Sequence, residues 1–533
     1  MLSAGLKSKI NSLWDKFWSR GISNPITAIE QISYLLFMRR LDENDLNALE
    51  EKKDYQTIFR ELVLDEKGKP VKDKSGAIIY ESREDYRWSK FKELDAEAML
   101  DLVSNKVFTF IKELNDKDQP FARYMKNASF DINNAKLLEE AVEAIDEIYK
   151  EIEEQLEEGQ QFQDTQGDVY EYLLSEMSTS GKNGQFRTPR HLVQFMCEIL
   201  DPNLNDKICD PACGTGGFLV GAYQHILTKH TSKEEKTKDE NGFDRFKKSG
   251  GDLINDEVKL KKLKENTLFG FDVDQNMIRI GLMNLMLHGI TIPKIENTDT
   301  LSKKYDEDYK DGQYTKILAN PPFTGRVDKD GMSDSLRIPG AQTELLFLSR
   351  ISKMLRKNGK AAVIIPEGVL FGSSKAQAKA REILLKDNKL DAVISLPSGA
   401  FKPYTGVKTS ILLFTKVEDE SETWHTKKVW FYELQSDGYS LDDNRIRLKD
   451  HPLPEARTAY DTKDENLKTD RKTHFFVSIA EIKNNDLDLS FNRYKEFEYE
   501  EQTYDPPKEI LTKLIKMEEE ILADMNELKG LIG

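Results

Sequence analysis

The sequence predicts an α/β protein with a doubly wound, mostly parallel sheet, an N-terminal helical domain and a C-terminal helix. Three observations predict it. Between residues 160 and 435, short β-branched runs alternate with helical segments, the pattern of βαβ units. A glycine-rich turn, DPACGTGGFL (Asp210 to Leu219), joins the first of those runs to a helix. Residues 1–159 and 506–533 instead carry apolar side chains at helical spacing.

The opening segment, MLSAGLKSKINSLWDKF, is amphipathic and lacks the apolar centre of a signal peptide. Asn24 and Pro25 form a cap and first-turn pair, followed by Ile26, Ile29, Ile32, Leu36 and Phe37 at helical intervals. KGKPVKDKSG is expected to be a polar loop or hairpin. A second helix runs from Leu137 and ends at Gly159. Nothing in this domain carries evident chemistry.

From 160 to 435 the expected strands are Lys207 to Cys209, Thr267 to Phe271, Tyr314 to Ala319, Ala361 to Pro366, Asp391 to Leu396 and Thr409 to Thr415. Helices include IRIGLMNLMLHG and KAQAKAREILLKD. A Lys/Glu-rich stretch, Lys229 to Lys248, interrupts this pattern as an exposed insertion. VWFYEL is a further strand, and residues 436–505 form a polar C-terminal extension. In the helix of residues 506–533, Leu511, Leu514, Ile521, Met525 and Leu528 follow heptad-like spacing, broken at Glu518. That stripe either packs on its own domain or docks on a partner subunit. There are no internal repeats.

The bulk numbers exclude several classes. At 533 residues the chain exceeds one ordinary core, and 38% apolar with 32% charged residues describes a soluble protein. No run approaches the roughly 18 apolar residues of a membrane helix. Cys197, Cys209 and Cys213 form no CxxC pair, so neither a disulfide framework nor a zinc site is expected, and a reducing cytoplasm fits. With 94 acidic and 78 basic residues the formal charge is −16, so a nucleic-acid substrate would need another component for much of the grip.

Chemistry concentrates in four places. The turn after Asp210 holds Gly214, Thr215, Gly216 and Gly217, which let a ligand approach the backbone closely. It lacks GxGxxG spacing and a phosphate-binding Lys, and Asp210 suits a cationic ligand. The next strand ends in GFDVD, where Asp272, with Asp274 as the fallback, could accept both hydroxyls of a ribose; the plainer alternative is a solvated loop acid or a helix cap. Asp299 in ENTDTL, after a third strand, is either an acceptor for an adenine amino group or a solvated loop acid. Finally, KILANPPFTG ends a strand with Asn320, Pro321, Pro322 and Phe323. The prolines stop the ladder, but an amide and an exposed aromatic there need another reason.

Together these pieces resemble the S-adenosylmethionine-dependent methyltransferases that act on exocyclic amines of DNA bases. The resemblance implies a Rossmann-like methyltransferase fold. It implies that the Asn320 side-chain oxygen and the Pro321 carbonyl accept the two N6 hydrogens of a flipped adenine while Phe323 stacks on it. QFRTPRHLVQFM narrows the resemblance to the modification subunits of type I restriction–modification systems. There the run matched by Gln185, Phe186, Arg187, Thr188, Pro189 and Arg190 packs on the methionine end of the cofactor. The same run also reads as a helix start, with Thr188 as cap and Pro189 at the first position. The likeness spans roughly Ala4 to Tyr494 and is most specific from Gln160 to Lys416. Arg187 stands where the family often has an aromatic, and the insertion is unmatched. The implied cofactor is S-adenosylmethionine, with no metal. The implied partners are double-stranded DNA, a specificity subunit, a second copy of the chain and, at times, a restriction/translocase subunit, with no membrane. The alternatives are methylation of a protein glutamine amide, amino-cytosine methylation, and an assembly subunit without turnover.

Overall fold

A computed structural model of the chain describes all residues except 1, 52, 115–119, 158–164, 180–186, 248–249, 291, 324, 465–470, 497–506 and 533. Its helical part contains α1 (Ala4–Ser19), α2 (Pro25–Glu51), α3 (Pro120–Met125), α4 (Ala135–Glu157) and α5 (Thr165–Thr179). The Asn24 Oδ1 accepts the Ile26 N–H at 3.0 Å, so the cap read from sequence starts α2. Helix α4 covers the expected second helix, whose Gly159 terminator lies outside the described residues. The polar KGKPVKDKSG stretch lies between two short antiparallel strands, Arg60–Leu62 and Tyr80–Ser82. No helix among the described residues is long and apolar enough to cross a membrane.

Helices α6 (Arg190–Leu200), α7 (Gly217–Lys229) and α8 (Gln275–Leu287) flank a nine-stranded sheet. Its strands are β1 (Ile208–Asp210), β2 (Leu268–Asp272), β3 (Lys294–Asn297), β4 (Tyr314–Ala319) and β5 (Leu355–Pro366). They continue as β6 (Asn388–Ser395), β7 (Thr409–Lys416), β8 (Lys428–Glu433) and β9 (His474–Ser478). The spatial order is β9-β8-β6-β7-β5-β4-β1-β2-β3. Strand β1 is parallel to both β2 and β4, so the chain winds one way through β2 and β3 and the other way from β4 onward. That reversal opens a crevice at the carboxyl ends of β1 and β4, where such sheets bind ligands. Strand β7 runs antiparallel between β5 and β6, and β9 antiparallel to β8.

The central strands read as near-continuous apolar runs because both faces are covered; β7 buries seven of its eight residues. One apolar core passes from α1 and α2 through α8 into the sheet, and Arg279 of α8 pairs with Glu30 of α2 across that junction. The helical domain and the sheet therefore share a core along this seam. The 436–505 stretch supplies β9 to the same sheet.

The insertion differs from the exposed segment expected. Lys236–Lys238 pairs antiparallel with Asp244–Phe246, and Phe243 and Phe246 are each only 5% exposed. Burial of two phenyl rings folds this polar stretch back onto the domain. The last helix, α9 (Pro507–Ile532), is exposed throughout residues 508–526, so its apolar stripe does not cover its own domain.

Candidate active site

The turn from β1 into α7 forms one wall of the crevice. Gly214 and Gly216 adopt positive φ, 51° and 76°, and a Cβ on Gly216 would stand 2.6 Å from Leu285 Cδ1. A Cβ on Gly214 or Gly217 would meet nothing within 4 Å, because both line the open crevice. At the head of the turn, Asp210 is 2% exposed, and one carboxylate oxygen accepts the Ala212 N–H at 3.1 Å. Burial, reinforced by nearby Asp272, pushes its carboxyl up to about 8. No cation lies within ion-pair reach of it among the described residues, so the pocket holds an uncompensated acid.

Asp272, at the end of β2, ties the turn down. Its carboxylate accepts the Gly214 N–H at 2.8 Å through Oδ2 and the Asp274 N–H at 2.9 Å through Oδ1. Each oxygen retains a second lone pair for a ligand hydroxyl. Burial raises this carboxyl as well. Asp274, the fallback for that role, lines the same crevice and caps α8 through Oδ1, accepting from Asn276 N at 2.8 Å and Met277 N at 3.4 Å. Asp299 spends one oxygen on the Leu301 N–H at 2.9 Å and faces the same space.

That space is a cavity of about 600 Å³ lined by Gly214, Asp272, Asp299, Asn320, Pro322 and Phe323, among others. A smaller recess behind it shares Gly214 and Asn320 and adds Thr188, Asp210, Thr215 and Gly217. Segments some 130 residues apart thus converge on one crevice.

Asn320 stands where the two spaces meet. Its Nδ2 donates to Thr188 Oγ1 at 3.0 Å, which fixes the amide plane. Its Oδ1 is buried and has no hydrogen-bond partner among the described residues. An unpaired buried acceptor costs about 1–3 kcal/mol, so this oxygen is a destabilising feature that nothing else in the fold explains. Phe323 is not exposed, as its place after two prolines led us to expect. It is 9% exposed and meets Phe401 edge to face, with ring centroids 5.8 Å apart. The loop after β6 covers one edge of the ring while the ring still lines the cavity.

The run before α6 is also corrected in part. Helix α6 begins at Arg190 with Pro189 at the cap position and no side-chain cap, so Thr188 does not cap it. Arg187 pairs with Glu171 and donates to the Glu171 carbonyl at 3.1 Å; Arg190 reaches Asp168 at 2.6 Å. Burial opposes ionisation of Glu171, but Arg187 and Arg190 outweigh it and hold that carboxyl at about 2. These two pairs pin the run against α5. Gln185 and Phe186 lie outside the described residues.

Sequence reading missed Phe401 and Met277, both at the crevice. The signal for Phe401 was available: an aromatic in SGAFKPYTG, a loop at the carboxyl end of a strand.

Comparison with known proteins bears on this geometry. Residues 161–503 match the N-6 DNA Methylase family, and residues 6–145 match the HsdM N-terminal domain. The type I restriction enzyme EcoEI methylase subunit of Escherichia coli is 30% identical over 445 residues, spanning 80% of this chain and 77% of that protein. A solved chain of a type I R-M system is 26% identical with a TM-score of 0.65, covering 99% of this chain and 98% of that one. The type I restriction-modification system methyltransferase subunit from Streptococcus thermophilus, 18% identical, shares the fold with a TM-score of 0.64, covering 93% and 100% of the two chains.

Proposed function

Because the chain belongs to the N-6 DNA methylase family, we propose that it transfers a methyl group from S-adenosylmethionine to N6 of an adenine flipped out of duplex DNA, as the modification subunit of a type I restriction–modification complex. The single observation that carries the chemistry is the buried, unpartnered Asn320 Oδ1 at the switch point of the sheet. An exocyclic amine donating to that oxygen and to the Pro321 carbonyl would have its nitrogen lone pair drawn out of conjugation with the ring. Phe323 would stack on the base. The match of residues 6–145 to the HsdM N-terminal domain supports this reading over methylation of a protein amide.

The residues present fit the cofactor. S-adenosylmethionine supplies a methyl group on a cationic sulfur. Asp210 offers a buried carboxyl without a cation beside it, which a cationic ligand would ionise, Asp272 two spare lone pairs for ribose hydroxyls, and Gly214 and Gly217 open backbone. To Asp299, which lines the cavity, we assign the adenine amino group of the cofactor, and to Arg187, Thr188, Pro189 and Arg190 its methionine end. Rate then comes from positioning and exclusion of water in the crevice. The partners we propose are double-stranded DNA, a specificity subunit, a second copy of the chain and, in some assemblies, a restriction/translocase subunit, all in the cytoplasm. Methylation of duplexes by the reconstituted complex with radiolabelled cofactor, followed by nucleoside analysis, tests the reading. N6-methyladenine at one defined site is expected; methylcytosine or unmodified DNA would refute it.

Two further results are expected. Asp272→Ala should weaken cofactor binding by about 1.5–3 kcal/mol, the range for hydrogen bonds to a charged group. Calorimetry showing an unchanged dissociation constant would remove Asp272 from the ribose role.

The second concerns pH. Unfolded aspartate titrates near 3.9, whereas buried Asp210 holds its proton up to about 8. Across that window the native chain carries a proton the unfolded chain has lost, so this group subtracts stability as pH rises. A cationic ligand favours the carboxylate and expels the proton. Cofactor affinity should therefore rise with pH, by up to about tenfold per unit from roughly pH 5 to 8, and level off above that. Asp210→Asn should flatten the profile. An equal slope in that variant would assign the proton to another group.

A further inference from the structure

We propose that the Lys229 to Lys248 insertion builds one wall of a basic cleft that holds the phosphate backbone of the DNA strand carrying the target base. The inference rests on the methyltransferase reading and adds where that strand lies. A second cleft, of about 670 Å³, shares Arg187 and Thr188 with the recess behind Asn320. Its walls come from α1, from the hairpin of the insertion and from the loop after β6. Eight basic and five acidic residues line it, in a chain whose formal charge is −16. A local positive surplus on an acidic protein concentrates a polyanion at that one place.

Not all of that charge is available. Arg187 and Arg190 answer Glu171 and Asp168, Arg245 pairs with Asp239 at 3.2 Å, and Arg445 pairs with Asp437. The lysines differ. Lys7 on α1 and Lys247 on the hairpin have no carboxylate within ion-pair reach among the described residues, and the Lys247 ammonium donates only to the Glu234 backbone carbonyl, which leaves its charge unneutralised. Lys238 and Lys402 meet only the exposed acids Asp244, at 2.7 Å, and Asp443, at 3.4 Å. Exposed pairs of that kind contribute little, so a phosphate can displace them. Lysine suits the task, since backbone phosphates need point charges and no base reading.

The hairpin is also anchored as a working part would be. Gln194 of α6 donates to Asp239 Oδ2 at 2.6 Å and accepts from Asn241 Nδ2 at 3.3 Å. Arg447 donates to the Glu240 carbonyl at 2.5 Å, while Phe243 and Phe246 are buried beneath. Such anchorage fixes the hairpin that carries Lys238 and Lys247 into the cleft, which Thr188, the residue that holds Asn320, also lines. A base bonded to Asn320 Oδ1 remains joined to its strand, and the adjoining basic cleft is where that strand's phosphates find cations.

The test uses the complex reconstituted with its specificity subunit and a duplex bearing its site. The Lys238→Ala/Lys247→Ala double variant, Lys402→Ala and a Lys310→Ala control outside the cleft are compared with wild type across a salt series. For the double variant, the slope of log affinity against log salt should fall by about 1.8, roughly 0.9 per lost phosphate contact. Affinity near 0.1 M salt should drop about 5- to 50-fold, with cofactor affinity and melting temperature unchanged. Wild-type affinity and slope in the double variant would overturn the cleft assignment. Lys247→Gln, milder for folding, must reproduce a slope loss of about 0.9 on the same basis. Wild-type complex that fails to methylate DNA would sink the functional reading itself, a result distinct from either outcome in the variants.

Discussion

Asn320→Ala should reduce methyl transfer by a factor on the order of 10²–10³ or more, the loss seen when one preorganised polar group at a reacting centre is removed. Cofactor affinity should stay within about twofold, since the bonds invoked for the cofactor come from Asp210, Asp272 and the glycine turn. The geometry separates the two effects. Asn320 Oδ1 is buried and unpartnered, while Nδ2 is spent on Thr188, so the amide of a residue that lines the crevice keeps one acceptor unused. Alanine removes the unpaired acceptor and also the Thr188 bond, two opposing terms of similar size, so the variant should fold about as well as the parent. Single-turnover methylation with saturating cofactor, alongside calorimetry of cofactor binding, reads both. Cofactor binding lost in proportion to activity would mean that the Asn-Pro-Pro-Phe loop belongs to the cofactor and not to the base.

Much of this site was legible because its parts are local. The Asn-Pro-Pro-Phe loop directly follows β4, the glycine turn follows β1, and Asp272 ends β2, each a short word at a strand terminus. The buried runs of β4 to β7 were visible because two covered faces leave little polar residue in them. What stayed hidden is long-range. Strand β3 consists of KIEN and has no apolar run to announce it, so only the position of Asp299 hinted at a strand. The antiparallel course of β7 is invisible in TSILLFTK, because direction depends on connections and not on composition. Helix α8 starts at Gln275, ahead of the apolar run, because Asp274 caps it; an acid at this strand end was legible as a cap or a ribose acceptor, and sequence alone does not choose between them. The Thr188–Asn320 bond joins residues 132 positions apart, and no pattern in either segment shows it.

Deleting the chain from Pro506 onward should abolish stable assembly with a specificity subunit and leave cofactor binding untouched. Helix α9 offers the reason. Ile510, Leu514, Met517 and Ile521 recur at alternating four- and three-residue steps, and Leu511, Ile515, Leu522 and Met525 follow the same rhythm one residue on, interrupted only at Glu518. All eight side chains are 42–64% exposed. Two adjacent seams make a face wider than a two-stranded coiled coil uses, so the partner we propose presents a pair of helices and not one. Burying a Leu, Ile or Met side chain contributes about 1.5–3 kcal/mol, and even three such anchors exceed a hundredfold in affinity after ordering costs. The crevice does not draw on this helix: Asp210, Asp272 and Asn320 all come from strand ends of the sheet, none from residues beyond 505. Leu514→Asp with Ile521→Asp, placing charge in one seam of the intact chain, should reproduce the deletion. Co-purification and analytical ultracentrifugation read assembly, and calorimetry reads the cofactor. A truncated chain that assembles as well as the full one would assign this apolar face to another occupant, and loss of cofactor binding would show that the helix supports the catalytic domain itself.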